Sequence, residues 1–233
     1  MSIWSRISAA LAALAQGEPL SVVFDRLRGD PEVSVGFTIA VIALGAKLAK
    51  ADGEVTRDEV ACFRRIFTIP PDEEANAARV YNLARQDVAG FEFYARKIGK
   101  LFKGGHETLL PDLMEGLFRV AVADGHYNDA EDAFLHQVAR EFGMDDRAFR
   151  AVRARCVEGV PRDPYDVLGV THDTDLDDIR AAWKRAVREN HPDALIARGL
   201  PPEAAKLAEA RMVAINRAWE EIESERSPRM LPA

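Results

Sequence analysis

The sequence predicts an all-α protein built from two helical units. Three observations carry that prediction. Apolar residues recur at i, i+3 and i+4 along nearly the whole chain, and the period-two alternation of a half-buried strand is absent. Glycine and proline punctuate the pattern at helix-length intervals, as at Pro70-Pro71, Gly104-Gly105 and Pro161. The length of 233 residues suits two domains of ~100–150 residues, and a hydrophobic share of 48% supplies enough material for their cores.

The first element is an amphipathic segment, expected within 1–28. Ile3, Trp4, Ile7, Leu11 and Leu14 fall on one side of a helix, and Ser2, Ser5, Arg6 and Ser8 fall largely on the other. Packing against the body of the protein is the simpler reading, and lying on a membrane surface the sharper one. The unbroken apolar run covers only 9–15, against the ~20 residues a bilayer span needs. No membrane span is expected. The expected place is cytoplasmic, with peripheral contact at the inner membrane face left open.

A helical unit is expected over 29–158. Its helices are read at about 33–51, 57–68, 72–87, 91–103, 107–123, 129–142 and 146–157. The 33–51 helix is almost wholly apolar from Val33 to Ala49, so it should be buried on most sides. Cys62 and Cys156 stand beside apolar residues within helical patterns and read as small core residues, not as a disulfide or a nucleophile.

This unit contains an internal echo. Ala51-Asp52-Gly53 is followed by Thr56 and Glu59, and Ala123-Asp124-Gly125 is followed at the same spacing by Asn128 and Glu131. Glycine at 53 and 125 suits the left-handed residue that closes a helix, and Thr56 with Glu59, or Asn128 with Glu131, fits a capping box that opens the next. The other reading is a divalent-metal site. Hard cations take clustered carboxylate oxygens, and Asp52, Glu59, Asp124 and Glu131 would supply four if the two turns met.

Pro161 and Pro164 mark a short hinge, and the second unit is expected over 163–226. Its central helix, about 176–190, carries an apolar stripe of Ile179, Ala182, Trp183, Ala186 and Val187. Arg180, Lys184 and Arg188 recur every four residues on another face, with Arg185 beside them. Asp175, Asp177 and Asp178 stand at the helix start, where the dipole favours negative charge, and Thr174 with Asp177 fits its cap. Then comes His191-Pro192-Asp193. Proline cannot continue a helix and pushes the residue before it out of helical geometry, so the tripeptide should stand on an exposed loop next to a positive surface. Residues 194–206 read as a long loop before a last helix containing Ile215, Asn216, Arg217, Ala218 and Trp219.

Composition narrows the function. A net charge of -7 argues against a broad nucleic-acid surface, which needs a basic field. There is no phosphate loop and no Ser/His/Asp constellation, so an enzyme is not expected, nor a cofactor.

The block Pro164-Tyr165-Asp166-Val167-Leu168-Gly169-Val170, the helix from Asp178 running into His191-Pro192-Asp193, and Ile215-Asn216-Arg217-Ala218-Trp219 resemble the J domain of DnaJ-type co-chaperones. The first unit, all-α with two Asp-Gly-x5-Glu turns, is similar to the TerB-like domain of tellurite-resistance and related bacterial proteins. A J domain placed last after such a unit resembles the DjlA type of co-chaperone. The resemblance implies an antiparallel helical hairpin whose loop carries His191, Pro192 and Asp193. It also implies a DnaK-type ATPase as partner, met by that loop and by Arg180, Lys184, Arg185 and Arg188, while the first unit selects a client or a site. The alternative is a stress-related metal-binding or sensing protein with the J domain as a tether. The chain departs from the pattern in three ways: Ala194 stands where many J domains have Lys, a basic fourth helix is absent, and the membrane span usual at the N-terminus of the DjlA type is not found.

Overall fold

The structure is a computed structural model that describes residues 3–12, 18–27, 30–51, 63–64, 66–86, 90–103, 105–157 and 163–226, without the side chains of 30–32, 50, 51 and 124. The described residues form helices and connecting turns, with no strand among them.

Helix α1 (Ile3–Ala12) turns its apolar stripe inward: Ile3, Trp4, Ile7 and Leu11 are all buried. Trp4 meets Phe67 edge to face at 6.3 Å, and its indole N–H donates to the Thr68 carbonyl at 3.3 Å. The apolar face therefore docks on the body of the protein. Leu14 lies outside the described residues. A short helix, α2 (Ser21–Arg26), follows; its single turn and a half is too brief to show a period in the sequence.

Helix α3 (Asp30–Ala51) is the axis of the first unit. From Val33 to Leu48 nearly every side chain is buried, because α4 (Glu74–Gln86), α5 (Phe91–Phe102) and α6 (Leu110–Ala121) pack around it. Its one cation in that stretch, Lys47, keeps its head 5.0 Å from the centre of the Tyr94 ring. Of the helix expected at 57–68, only its end is described: Phe63 and Arg64 are helical, and the chain has left the helix by Ile66.

Helices α7 (Asp129–Phe142) and α8 (Asp146–Cys156) close the unit, α7 against α5 and α8 against α6. Gly125 takes the left-handed conformation, φ +88°. The capping box at the head of α7 is complete: Asn128 Oδ1 accepts from the Ala130 and Glu131 amides, and Glu131 Oε2 accepts from the Asn128 amide at 2.9 Å. Cys156 is a buried thiol, and burial pushes its pKa up to about 12, in keeping with a core role. Cys62 lies outside the described residues.

The second unit comprises α9 (Pro164–Leu168), α10 (Leu176–Glu189), α11 (Pro192–Ala197) and α12 (Ala205–Arg226). Helices α10 and α12 run antiparallel: Arg180 pairs with Glu223, Trp183 with Asn216 and Trp219, and Asn190 with Arg211. One number rises as its partner's falls. Between them Ile179, Ile215, Ala218, Trp219 and Ile222 form a small core with Tyr165, Val167 and Leu168 of α9. Trp183 stacks on Trp219 at 5.3 Å with the planes 15° apart. At the start of α10 the cap is Asp175, not Thr174. The Thr174 hydroxyl instead accepts from the Thr171 amide at 3.2 Å and closes the preceding turn.

The expected loop at 194–206 is corrected. Pro192–Ala197 is helix α11, and Pro202–Ala204 is a 3₁₀ turn. Leu195, Leu200, Ala204, Leu207 and Ala208 belong to the core of the first unit, not to that of the hairpin. Polar contacts fasten the same segment: Ser34 Oγ donates to the Gly199 carbonyl at 2.9 Å, the Thr68 amide to the Glu203 carbonyl at 2.8 Å, and Lys206 Nζ to the Arg64 carbonyl at 2.8 Å. Gly199, at φ +108°, turns the chain where a Cβ would also meet Leu109 at 3.3 Å. Periodicity could not reveal this, because the apolar residues of the segment are spaced for a neighbouring unit and not for a stripe of their own.

Candidate functional site

The geometry around His191-Pro192-Asp193 begins at the end of α10. Its last residue is Glu189, and Asn190 caps it by donating Nδ2 to the Ala186 carbonyl at 2.7 Å. His191 then takes extended geometry, φ −60° and ψ 140°, as the residue before a proline should. Pro192 does end α10, and it also opens α11 as that helix's first residue, where its missing N–H costs nothing. His191 is the N-cap: its Nδ1 accepts from the Asp193 amide at 3.3 Å, which leaves the ring proton on Nε2. The side chains of His191 and Asp193 are 56% and 91% exposed. Both reach outward while the backbone beneath them is ordered by two helices.

Arg180, Lys184, Arg185 and Arg188 are all exposed on α10. Arg180 is engaged within the hairpin, 3.3 Å from Glu223 and with its guanidinium 5.4 Å from the centre of the Trp219 ring. Among the described residues no ion pair engages Lys184, Arg185 or Arg188. Asp177 and Asp178 occupy the first turn of α10 and Arg188 the last, so the charges lie along the dipole in the favourable order.

Directly behind the tripeptide lies a cluster that sequence reasoning missed. Arg211 of α12 is buried and donates Nη1 to Asp112 Oδ1 at 2.5 Å and Nε to Glu115 Oε2 at 2.6 Å, both on α6. The same Nη1 donates to Asn190 Oδ1 at 2.9 Å. Glu115 also faces Arg155 at 3.5 Å and Arg119 at 3.8 Å. Burial alone would raise the Glu115 pKa, but Arg211, Arg155 and Arg119 together hold it below the usual carboxylate range. At Asp112 burial outweighs the pull of Arg211, and the pKa is raised. A signal was present: Asp112 and Glu115 sit three apart, with Arg119 four further on, among the apolar residues of α6, and Arg211 continues the stripe of Leu207, Ala208, Ala214 and Ile215.

Of the residues considered for a metal, Asp52 and Glu59 lie outside the described residues, as does the side chain of Asp124. Glu131 is spent on the capping box. Among the described residues no group of three or more His, Cys, Asp or Glu side chains is placed to hold a metal ion. No helix among them is long and apolar enough to cross a membrane.

A helical bundle followed by a hairpin with His-Pro-Asp at its turn defines a protein of the J-domain class. The family described as tellurite resistance protein TerB matches residues 38–154, and the DnaJ domain matches 163–230. The chain belongs to the J-domain co-chaperones of the DjlA type, with a TerB domain first and a J domain last. It is similar to Co-chaperone protein DjlA of Aliivibrio fischeri, 26% identical over 82% of this chain and 78% of that protein. It is also similar to the proteins of the same name from Vibrio cholerae and Coxiella burnetii, each 27% identical over 77% of this chain and 74% of theirs. No solved structure matches it.

Proposed function

We propose that this protein stimulates ATP hydrolysis by a DnaK-type chaperone. His191, Pro192 and Asp193 engage the ATPase, and Lys184, Arg185, Arg188 and the partly engaged Arg180 guide the encounter. The observation that carries this reading is the pair of exposed side chains, His191 and Asp193, at an ordered turn beside a basic helix face. The chemistry then belongs to the partner, and His191 and Asp193 are recognition groups, not acid and base. Exposed cations at a rim act mainly on association rate and salt dependence, whereas a charge that becomes desolvated at the centre, such as Asp193, costs more when removed. The TerB domain, taken as 29–158, supplies client or site selection to the J domain at 163–226.

The test is steady-state ATP turnover by the organism's own DnaK-type chaperone, with and without this protein. Wild type should stimulate turnover, and His191→Gln and Asp193→Asn should abolish the stimulation while remaining folded, because neither side chain supports a core. A folded His191→Gln protein that stimulates like wild type would remove the proposal.

A further inference from the structure

The His-Pro-Asp turn is held from both ends by the TerB domain. On the upstream side the holding passes through one guanidinium. Arg211 Nε and one hydrogen of Nη1 are committed to Glu115 and Asp112 of α6. A guanidinium is a rigid planar fork, so these two contacts set the direction of the second Nη1 hydrogen. Asn190 Oδ1 accepts it at 2.9 Å. Asn190 is the residue immediately before His191, and its other amide atom is fixed to the Ala186 carbonyl. On the downstream side Leu195 and Leu200 are buried in the TerB core, and the Gly199 carbonyl is held by Ser34. Only His191 to Ala194 lie between the two fastenings.

We infer that the TerB domain holds the His-Pro-Asp turn in its working shape, with Asn190 as a positioning residue that transmits the order of Asp112, Glu115 and Arg211 to His191. The inference rests on the function proposed above. A partner that reads the turn binds with its intrinsic affinity reduced by the fraction of time the turn is in the readable shape. A turn held at both ends meets its partner already ordered, and less ordering entropy opposes docking. The TerB domain is then part of the J domain's mechanism as well as a means of selecting clients.

The experiment uses the full chain in the ATP-turnover titration with four variants. Asn190→Ala removes the link, together with the Asn190 bond to the Ala186 carbonyl at the end of α10, and leaves the Arg211 contacts to Asp112 and Glu115 in place, so its melting temperature should fall only slightly. Its half-saturating concentration should rise roughly ten-fold or more, the scale of one lost hydrogen bond to a charged group, with the maximal stimulated rate retained. Asn190→Asp keeps an acceptor toward Arg211 but, like Asn190→Ala, gives up the Nδ2 donation to the Ala186 carbonyl, so its half-saturating concentration should fall between those of Asn190→Ala and wild type. Asp112→Leu, on the TerB side, should shift half-saturation in the same direction as Asn190→Ala. Amide exchange at Asp193 and Leu195 should quicken in Asn190→Ala. The inference is overturned if Asn190→Ala titrates like wild type, if Asn190→Asp is as impaired as Asn190→Ala, or if a folded Asp112→Leu protein titrates like wild type. His191→Gln separates the two levels. If it still stimulates, the proposed function fails; if it is inert while Asn190→Ala is unaffected, only the positioning role fails.

Discussion

Replacing Arg211 by Ala should be among the most destabilising changes in the chain, although the residue is a cation and not an apolar member of either core. The Arg211 side chain is 5% exposed, and its partners Asp112 and Glu115 are 2% and 0% exposed. Removing one member of a buried pair strands the other charge and costs ~3–5 kcal/mol, a large part of the ~5–15 kcal/mol that holds a typical domain folded. The loss should not be shared equally. Glu115 keeps Arg155 and Arg119 within 4 Å, whereas among the described residues no other ion pair within that distance engages Asp112. Most of the cost should therefore fall on Asp112. In the double variant Asp112→Ala/Arg211→Ala, the coupling should return ~1–3 kcal/mol relative to the sum of the single changes, and the corresponding Glu115 cycle should return less. The assay is urea unfolding of the full chain followed by far-ultraviolet circular dichroism and tryptophan fluorescence. Trp4 reports from the first core, and Trp183 and Trp219 report from the hairpin. In wild type the two signals should coincide, because α12 belongs to both cores. The reasoning is refuted if Arg211→Ala costs under ~1 kcal/mol, if the Asp112 cycle is additive, or if the hairpin melts separately in wild type.

Leu195→Ala should cost ~2–5 kcal/mol of whole-chain stability as a buried large-to-small change, measured in the same unfolding experiment; a loss below 1 kcal/mol would show that α11 is not seated in the TerB core. Trp219→Ala should cost ~3–5 kcal/mol, and the half-buried Trp183→Ala less, roughly 1.5–3 kcal/mol; equal losses would contradict their different burial. The lowered pKa of Glu115 means that its contribution is fully present above the ordinary glutamate value of about 4.3 and is lost as pH falls through its lower folded value. The stability gap between wild type and Glu115→Gln should therefore be widest near neutrality and narrow below about pH 4, and a gap unchanged between pH 7 and 3 would sink that assignment. Limited proteolysis should spare 196–203, since that stretch is anchored to the first unit, and early cleavage there would contradict the anchoring.

Much of the fold was legible because each helix carries its own evidence. The stripe of Ile3, Trp4, Ile7 and Leu11 repeats at helical spacing, and Asn128 with Glu131 is a local cap that needs no distant residue. The same holds for the candidate site: Pro192 forces the break after α10 by its covalent chemistry, and Arg180, Lys184 and Arg188 share a face by period alone. Helix α2 was missed because six residues are too few to establish a period. The 194–206 segment was misread because Gly199 followed by Leu200-Pro201-Pro202 looks like a loop when no neighbour is visible.

The sequence by itself determined that the chain is helical, where most helices start and stop, and that His191, Pro192 and Asp193 stand just past the end of a basic helix. Those features depend on contacts within a few residues, which the order of the chain already contains. Only the tertiary structure decided that Leu195 and Leu200 belong to the first unit's core, and that Arg211 joins Asn190 to Asp112 across 99 and 21 residues of sequence. A buried charge can be tolerated only where its partners converge, and convergence is set by how α6, α10 and α12 pack, not by any spacing along the chain.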